Sequence, residues 1–357
     1  MKPLKFEHRI IDPHPNGTKH DICLVGDISG SGLPDVVMAS KYGEDNLVWY
    51  ENPGWRRHVM GTAHLEAGGV LVDVNGNGRP DVVAGCPKDA PAGYTNTGLF
   101  WFECPENPKE KWRAHVITDR FMKYHDQDVG DVDGDGEPEI VFASQGAAVV
   151  GYFDIPADPG SSPWPEECCH IISDGLALEG VKAVDLDGDG RVEVIAGAGY
   201  FERDSAGSWT RVDFPVELDP RTLAAAGDLS GDGSVDVVLS EGELDSARIV
   251  LLRAPDWKPV VLGEEFYHPH SLELADFDGS GLPDVFVAEM GLRGFATPRE
   301  VIFRNRGDGS FEMEVVAHLP THGAKVADMT GDGRLDIVGK PFHAARDQID
   351  LLLNVTE

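Results

Sequence analysis

Of the thirteen histidines in this chain, His20, His125, His270 and His322 stand in phase with one another, and His64 and His268 lie slightly farther out at the same rim. The phase is set by a nine-residue phrase that recurs seven times: Asp, apolar, short polar, Gly, short polar, Gly, two variable positions, acid. It starts at Asp27, Asp73, Asp131, Asp185, Asp228, Asp276 and Asp328. Six residues before each leading Asp stand Asp21, Ala67, His125, Glu179, Thr222, His270 and His322. Seven before stand His20, Glu66, Tyr124, Leu178, Arg221, Pro269 and Thr321. Imidazoles, carboxylates, a phenol and a guanidinium therefore recur at equivalent points. Three imidazoles, or two with a carboxylate, hold a divalent transition metal such as Zn²⁺ with a coordination position left open. A His or Tyr base beside a cation that stabilises an enolate is what proton abstraction next to a carbonyl requires.

On that chemistry the expected roles are as follows. His125 and Tyr124 act as base and acid, with His270 and His322 also catalytic. His20, His64 and His268 supply transition-metal ligands. Arg221 and Lys123 hold a sugar oxygen or carboxylate, and Glu66, Glu179, Tyr42 and Tyr267 complete the substrate contacts. Loops after the second strand of each repeat add Lys41, Tyr94, Glu241, Glu243, Arg293, Lys340 and His343 to the same rim. The plainer reading is that a His repeated near a strand start hydrogen-bonds the neighbouring repeat. His8, His58, His115 and His170, on a peripheral strand, are expected only to pack or hydrogen-bond. Asp128 with Lys182 and Glu273 with Lys325, three before their leading Asp, are expected to form ion pairs between neighbouring repeats.

The phrase itself carries side-chain oxygens at positions one, three, five and nine, with glycines where the loop turns. That suits a hard cation such as Ca²⁺. Four carboxylates each come from Asp131, Asp133, Asp135 and Glu139, and from Asp185, Asp187, Asp189 and Glu193. Three each come from Asp228, Asp232 and Asp236, from Asp276, Asp278 and Asp284, and from Asp328, Asp332 and Asp336. Asp27 with Asp35 and Asp73 with Asp81 offer two. Affinity is expected in that order; the alternative is that loops close by internal Asx-type hydrogen bonds and hold no metal. An EF-hand is excluded, because position twelve is Phe142 or Ala196 in two copies and strands, not helices, follow the ninth acid.

The elements that position these residues follow from the spacing. The phrases lie 46, 58, 54, 43, 48 and 52 residues apart, the length of a four-stranded blade. Inner strands start near residues 20, 64, 125, 179, 221, 268 and 322, each followed by its loop and three further strands. The last repeat stops after its third strand at LLLNVTE, and FEHRII from Phe6 supplies the fourth, so residues 5–11 close the ring. Residues 1–357 are read as one all-β domain, a seven-bladed propeller with the cation loops between first and second strands. In-phase Asp-rich loops of this form resemble the FG-GAP/VCBS repeat family, which implies the same fold and Ca²⁺ in the loops. Blade text such as LVWYENPG, with His before the inner strand, is similar to the propeller of aldos-2-ulose (anhydrofructose) dehydratases. That resemblance implies carbon–oxygen elimination on a carbohydrate.

The formal charge of −32 argues against nucleic acid and anionic membranes as partners. Of the 62 acids, 21 occupy the loop ligand positions, so bound Ca²⁺ would neutralise a large share. Cys23, Cys86, Cys104, Cys168 and Cys169 are odd in number and match no metal spacing, which points to free thiols and a reducing compartment. A cytoplasmic location is expected, with a secreted or periplasmic one as the alternative; no membrane-spanning run and no leader are read. The expected function is a carbohydrate lyase or dehydratase working by β-elimination in a His-rich funnel. The competing expectation is a Ca²⁺-stabilised propeller that binds a glycan or a protein without catalysis.

Overall fold

The computed structural model describes residues 2–292, 297–342 and 348–356. Arg293 and His343 lie outside them. The chain forms seven antiparallel sheets of four strands. The first holds β2 (Thr18–Gly26), β3 (Asp35–Tyr42), β4 (Leu47–Glu51) and β5 (Arg56–Gly61). The second holds β6 (Val70–Val72), β7 (Asp81–Gly85), β8 (Leu99–Glu103) and β9 (Arg113–Thr118), and the third β10 (Tyr124–Gly130), β11 (Glu139–Ser144), β12 (Val149–Phe153) and β13 (Cys169–Asp174). Blade four runs from β14 (Lys182–Val184) through β15 (Glu193–Ile195) and β16 (Gly199–Arg203) to β17 (Trp209–Asp213). Blade five has β18 (Leu223–Gly227), β19 (Asp236–Ser240), β20 (Ala247–Arg253) and β21 (Lys258–Phe266). Blade six has β22 (Ser271–Ala275), β23 (Asp284–Ala288), β24 (Glu300–Asn305) and β25 (Phe311–Ala317). In the seventh, β26 (Lys325–Ala327), β27 (Asp336–Gly339) and β28 (Ile349–Asn354) are completed by β1 (Phe6–Asp12), which pairs antiparallel with β28. The expected closure is thus present, and it removes an open edge.

Each first strand packs against the first strands of both neighbours, so the seven inner strands form a closed ring around an axial cavity of about 550 Å³. The core lies between blades. Trp49, Val37 and Ile22 of blade one, for example, pack against Val82, Ala84 and Phe102 of blade two. Second strands such as β7 and β19 are wholly buried, which is why they read as continuous β-branched runs. Outer-strand histidines are structural. His58 stacks on Trp49 at 4.5 Å and bonds Glu51 at 2.8 Å, while His115 stacks on Trp101 at 4.2 Å and bonds Glu103 at 2.9 Å. His170 does the same with Tyr152 and Asp154, and His8 meets Asp350. The inner ring carries the ion pairs Lys182–Asp128, at 3.9 Å, and Lys325–Glu273.

All seven Asp-rich loops close on themselves. The leading Asp accepts backbone N–H groups of the loop; Asp73 takes those of Asn77 and Gly78, and Asp131 those of Gly134 and Gly136. The ninth residue is buried, and its carboxylate ties the loop to the sheet. Asp81 accepts Val74 N–H on one oxygen and Cys104 N–H, just past β8, on the other. Asp35, Asp284 and Asp336 repeat that double bond. Glu139 and Glu193 commit a single oxygen, to Val132 and Leu186 N–H, which leaves the other for a cation.

Carboxylates gather accordingly. Asp131, Asp133, Asp135 and Glu139 form one group whose ligand atoms lie within 4.8 Å, Asp185, Asp187 and Glu193 a second, and Asp276, Asp278 and Asp284 a third. Asp189 departs from the expectation because the Arg191 guanidinium holds it. Asp228, Asp232 and Asp236, and Asp328, Asp332 and Asp336, form no such group among the described residues; Arg334 draws Asp332 aside. All five cysteines are free thiols. No helix among the described residues is long and apolar enough to cross a membrane.

Candidate functional site

Two β-bulges aim the first side chains. The β2–β3 ladder pairs His20 with Ser40 and Ile22 with Ala39, leaving Asp21 as the extra residue. The β10–β11 ladder skips His125 in the same way. A bulged residue is freed from the alternation of its strand, and here both lie on the axial cavity. Glu179 and His270 stand at the matching point of blades four and six, and Glu243 reaches in from the loop between β19 and β20. Gly180 makes the close packing possible: a Cβ there would meet the Thr222 carbonyl at 2.2 Å, and its φ is +74°.

The result is a four-residue set. One ligand atom from each of His125, Glu179, Glu243 and His270 lies within 4.8 Å of the others. His125 Nε2 is 3.5 Å from Glu179 Oε1, and His270 Nε2 is 3.3 Å from Glu243 Oε1 and 4.0 Å from Glu179 Oε2. The other nitrogen of His125 bonds Asp126 Oδ2 at 2.9 Å, and the same oxygen accepts Gly180 N–H at 3.0 Å. A carboxylate behind a ligand histidine fixes its tautomer and raises its basicity, the usual outer-sphere arrangement of a metal-bound imidazole. Two imidazoles and two carboxylates suit Zn²⁺ or Mn²⁺.

Charge within the set agrees. Burial opposes ionisation of His125, but Glu179, Asp126 and Glu66 outweigh it and push the imidazole up to about 10. The His270 ring 3.3 Å away holds Glu243 far below the ordinary glutamate range.

Blades seven, one and two form the opposite half of the mouth. His322 stacks on His270 with centroids 4.6 Å apart, and its Nδ1 lies 2.7 Å from Lys340 Nζ. Lys340 also donates to the Asp21 carbonyl at 2.9 Å. Burial, then Lys340 and His270, keeps His322 well below the usual histidine range, and burial lowers Lys340 to about 8. Lys41 pairs with Glu66 at 2.8 Å and with Asp89 at 3.2 Å. Burial, then the Glu66 charge, raises Asp21 to about 6. Asp21 Oδ2, His64 Nε2 and Glu179 Oε2 are buried with no hydrogen-bond partner among the described residues.

Several expected residues stand elsewhere. Tyr124 is fully buried between blades two and three, against Phe121 and Phe142, and its hydroxyl donates to the Arg120 carbonyl at 2.9 Å. It is core, not an acid or base at the mouth. His20, His64 and His268 do not meet as a metal set: His20 is buried in β2, His64 Nδ1 bonds the Lys41 carbonyl, and His268 bonds Asp245. Arg221 is held in a double bond by Asp219 beside Glu243 and Glu179. Tyr42 donates to Asp89 and Tyr267 to the Leu292 carbonyl, while Lys123 takes a left-handed turn that offers its carbonyl to Gln145. Glu243, Asp126, Asp21 and Lys340 also stand at this mouth, with no role expected from the sequence. Glu243 and Lys340 were visible only as loop residues; Asp21 sat in the phased row without a role.

A family model described as FG-GAP-like repeat matches residues 27–102, 128–196 and 276–339, more than half of the chain. The chain belongs to the FG-GAP-like repeat family. An aldos-2-ulose dehydratase of Phanerodontia chrysosporium is 28% identical over 151 residues, which cover 36% of this chain and 16% of that protein. The chain therefore matches only a small part of that relative's length. Among solved structures, an Agrocybe aegerita lectin that recognises non-reducing terminal N-acetylglucosamine superposes with a TM-score of 0.54 at 16% identity, covering 96% of this chain and 87% of the lectin. The exotype rhamnogalacturonan lyase YesX gives 0.52 at 12% identity, over 96% of this chain and 75% of its own. At such identities the likeness is one of fold.

Proposed function

We propose that the mouth is the active site of a carbohydrate lyase or dehydratase that removes water from a neutral carbonyl sugar by β-elimination. The observation that carries this reading is the His125–Glu179–Glu243–His270 set facing the buried, open carboxylate of Asp21. A divalent transition metal held by the four would polarise a sugar carbonyl and its neighbouring hydroxyl. Asp21, raised by burial and free at Oδ2, is placed to take the proton from the carbon next to that carbonyl. The carbon–carbon double bond forms as the β carbon–oxygen bond breaks, and the same carboxyl returns its proton to the departing hydroxyl, so water leaves. Neutral substrates are favoured because Arg221 and Lys41 already have acidic partners, Asp219 for the first and Glu66 with Asp89 for the second. A uronate would bring another negative charge to this mouth. The names of the dehydratase and lyase relatives agree with elimination on a sugar.

Incubation with neutral keto-sugars should produce the ultraviolet absorbance of an enone, and uronate oligosaccharides should not. Product from uronates alone would overturn the choice of substrate, and binding without product would favour the second reading, a glycan-binding module. That reading draws on the exposed Tyr94 ring, which lies edge-on to His64 at 3.7 Å, as a stacking surface for sugar.

For the Asp-rich loops we infer Ca²⁺ in blades three and four first, where Glu139 and Glu193 leave an oxygen open. Burial raises Asp81 and Asp284 to about 6, and Glu139 and Glu193 to about 7. A carboxyl raised above its unfolded value binds its proton more firmly when folded. Its contribution is therefore complete below about pH 4 and lost as pH rises through 6 to 7. Chelator-treated protein should melt several degrees higher at pH 5 than at pH 8, and millimolar Ca²⁺ should restore most of the difference at pH 8. Equal melting temperatures at the two pH values, or no response to Ca²⁺, would contradict this.

A further inference from the structure

The half of the mouth opposite the metal set contains a lysine that elimination, as described, does not use. Lys340 follows β27 and is completely buried. Its ammonium donates to one backbone carbonyl, that of Asp21, and contacts one imidazole nitrogen, Nδ1 of His322. The His322 backbone N–H in turn donates to the Lys340 carbonyl at 2.9 Å, so the two residues are fixed to each other at main chain and side chain. The two direct partners of this ammonium are neutral, with the Asp21 carboxylate supplying an opposing charge nearby, and an apolar side chain of the same length would fill that space without desolvating a charge. Its placement has a chemical consequence instead.

An ammonium has three donors and no lone pair. While Lys340 is charged, the 2.7 Å contact is a bond from Nζ to the Nδ1 lone pair, and a nitrogen that accepts cannot also carry the ring proton. That proton must sit on Nε2. His322 Nε2 has no partner among the described residues, and its ring lies face to face with His270 and 5.1 Å from Phe342. We propose that Lys340 is a positioning residue that locks His322 as the Nε2–H tautomer, making His322 a hydrogen-bond donor to the substrate carbonyl oxygen and not a base. The proposal rests on the elimination reading of the mouth and assigns the group that stabilises the enolate oxygen. A neutral donor held in place before charge develops needs no reorganisation during the reaction, and stacking against a metal-set imidazole puts it beside the oxygen that becomes negative.

The expected signature can be read without substrate. Two-bond nitrogen–proton correlation spectra of isotope-labelled histidine, in the full chain loaded with metal, should show His322 with its proton on Nε2. In Lys340→Met, an apolar replacement of similar length, His322 should move to the other tautomer or to a mixture. With a keto-sugar that turns over, Lys340→Met should lower kcat about 100-fold with KM nearly unchanged and metal content intact. His322→Gln, which keeps an N–H donor, should retain more activity than His322→Ala. His322 found with its proton on Nδ1, or a tautomer indifferent to Lys340→Met, overturns the proposal even where turnover is normal. The Nε2–H tautomer in a protein that turns over no carbonyl sugar overturns the elimination reading instead.

Discussion

His270→Ala and His125→Ala are each expected to leave the protein folded but unable to hold the proposed transition metal. Wild-type protein is expected to carry about one Zn²⁺ or Mn²⁺ per chain besides Ca²⁺, and either variant to retain almost none after dialysis. Deleting an outer-sphere partner of a metal ligand costs 10- to 100-fold in affinity, so removing a ligand itself should cost more than about 100-fold. Elimination activity should fall by about 10² to 10⁴, the range of a lost acid–base or Lewis-acid contribution. The fold should survive because neither ring belongs to the seams between blades. His270 loses its stacking on His322 and His125 its bond to Asp126, each about 1 kcal/mol. Asp126→Ala separates support from ligation: it should weaken the metal about tenfold to a hundredfold without abolishing it. His58→Ala is the control, a buried imidazole that stacks on Trp49 far from the mouth, and should lower stability while leaving metal content alone. Full metal occupancy in the His125→Ala, His270→Ala double variant would end the assignment.

The phase of the repeat brings one of the two rows counted to the axial mouth. Asp21, His125, His270 and His322, each six before a leading Asp, line the cavity, and Glu179 lies beside His125 and His270. Their neighbours seven before do not line the cavity, since successive side chains on a strand point to opposite faces. Tyr124 falls into the seam between blades, where Gly85 leaves room for its ring, and Thr321 turns to Glu300. Glu66 pairs with Lys41 from blade one, while Ala67, six before, lines the cavity. Bulges add a shift that no count of residues can supply. Glu243 and Lys340 come from loops, where distance along the chain carries no phase. In blade five the phased position is Thr222, whose hydroxyl is turned to the Asp219 carbonyl, and the loop carboxylate replaces it. The ninth acid misled in another way. Counting oxygens makes it a cation ligand, yet Asp35, Asp81, Asp284 and Asp336 spend both oxygens on backbone N–H groups. Glu139, Glu193 and Asp236 bond backbone through one oxygen and leave the other open.

That staple supports the largest effect on stability. Asp284→Ala should cost about 3–5 kcal/mol, because it leaves two buried N–H groups, of Phe277 and Asn305, without acceptors, at about 1–3 kcal/mol each, and loosens what they hold. Asn305 passes the tie onward, since its side-chain amide donates to the Leu229 carbonyl in the loop of blade five. Asn52 does the same to Met329 of blade seven and Asn354 to Phe277 of blade six, so each staple grips the preceding blade as well as its own. With roughly 2 °C per kcal/mol in a chain of this size, the melting temperature should drop by about 5–10 °C. Asp284→Asn keeps the shape but sets an amide N–H against a backbone N–H, and should lose about half as much. Asp89→Ala, which removes an exposed carboxylate, should shift stability by less than about 1 kcal/mol. If the cost came only from lost Ca²⁺, the Asp284→Ala deficit would vanish in chelator, because wild type would then fall to the same level. A deficit that persists in chelator assigns Asp284 to the sheet, where its two N–H bonds place it.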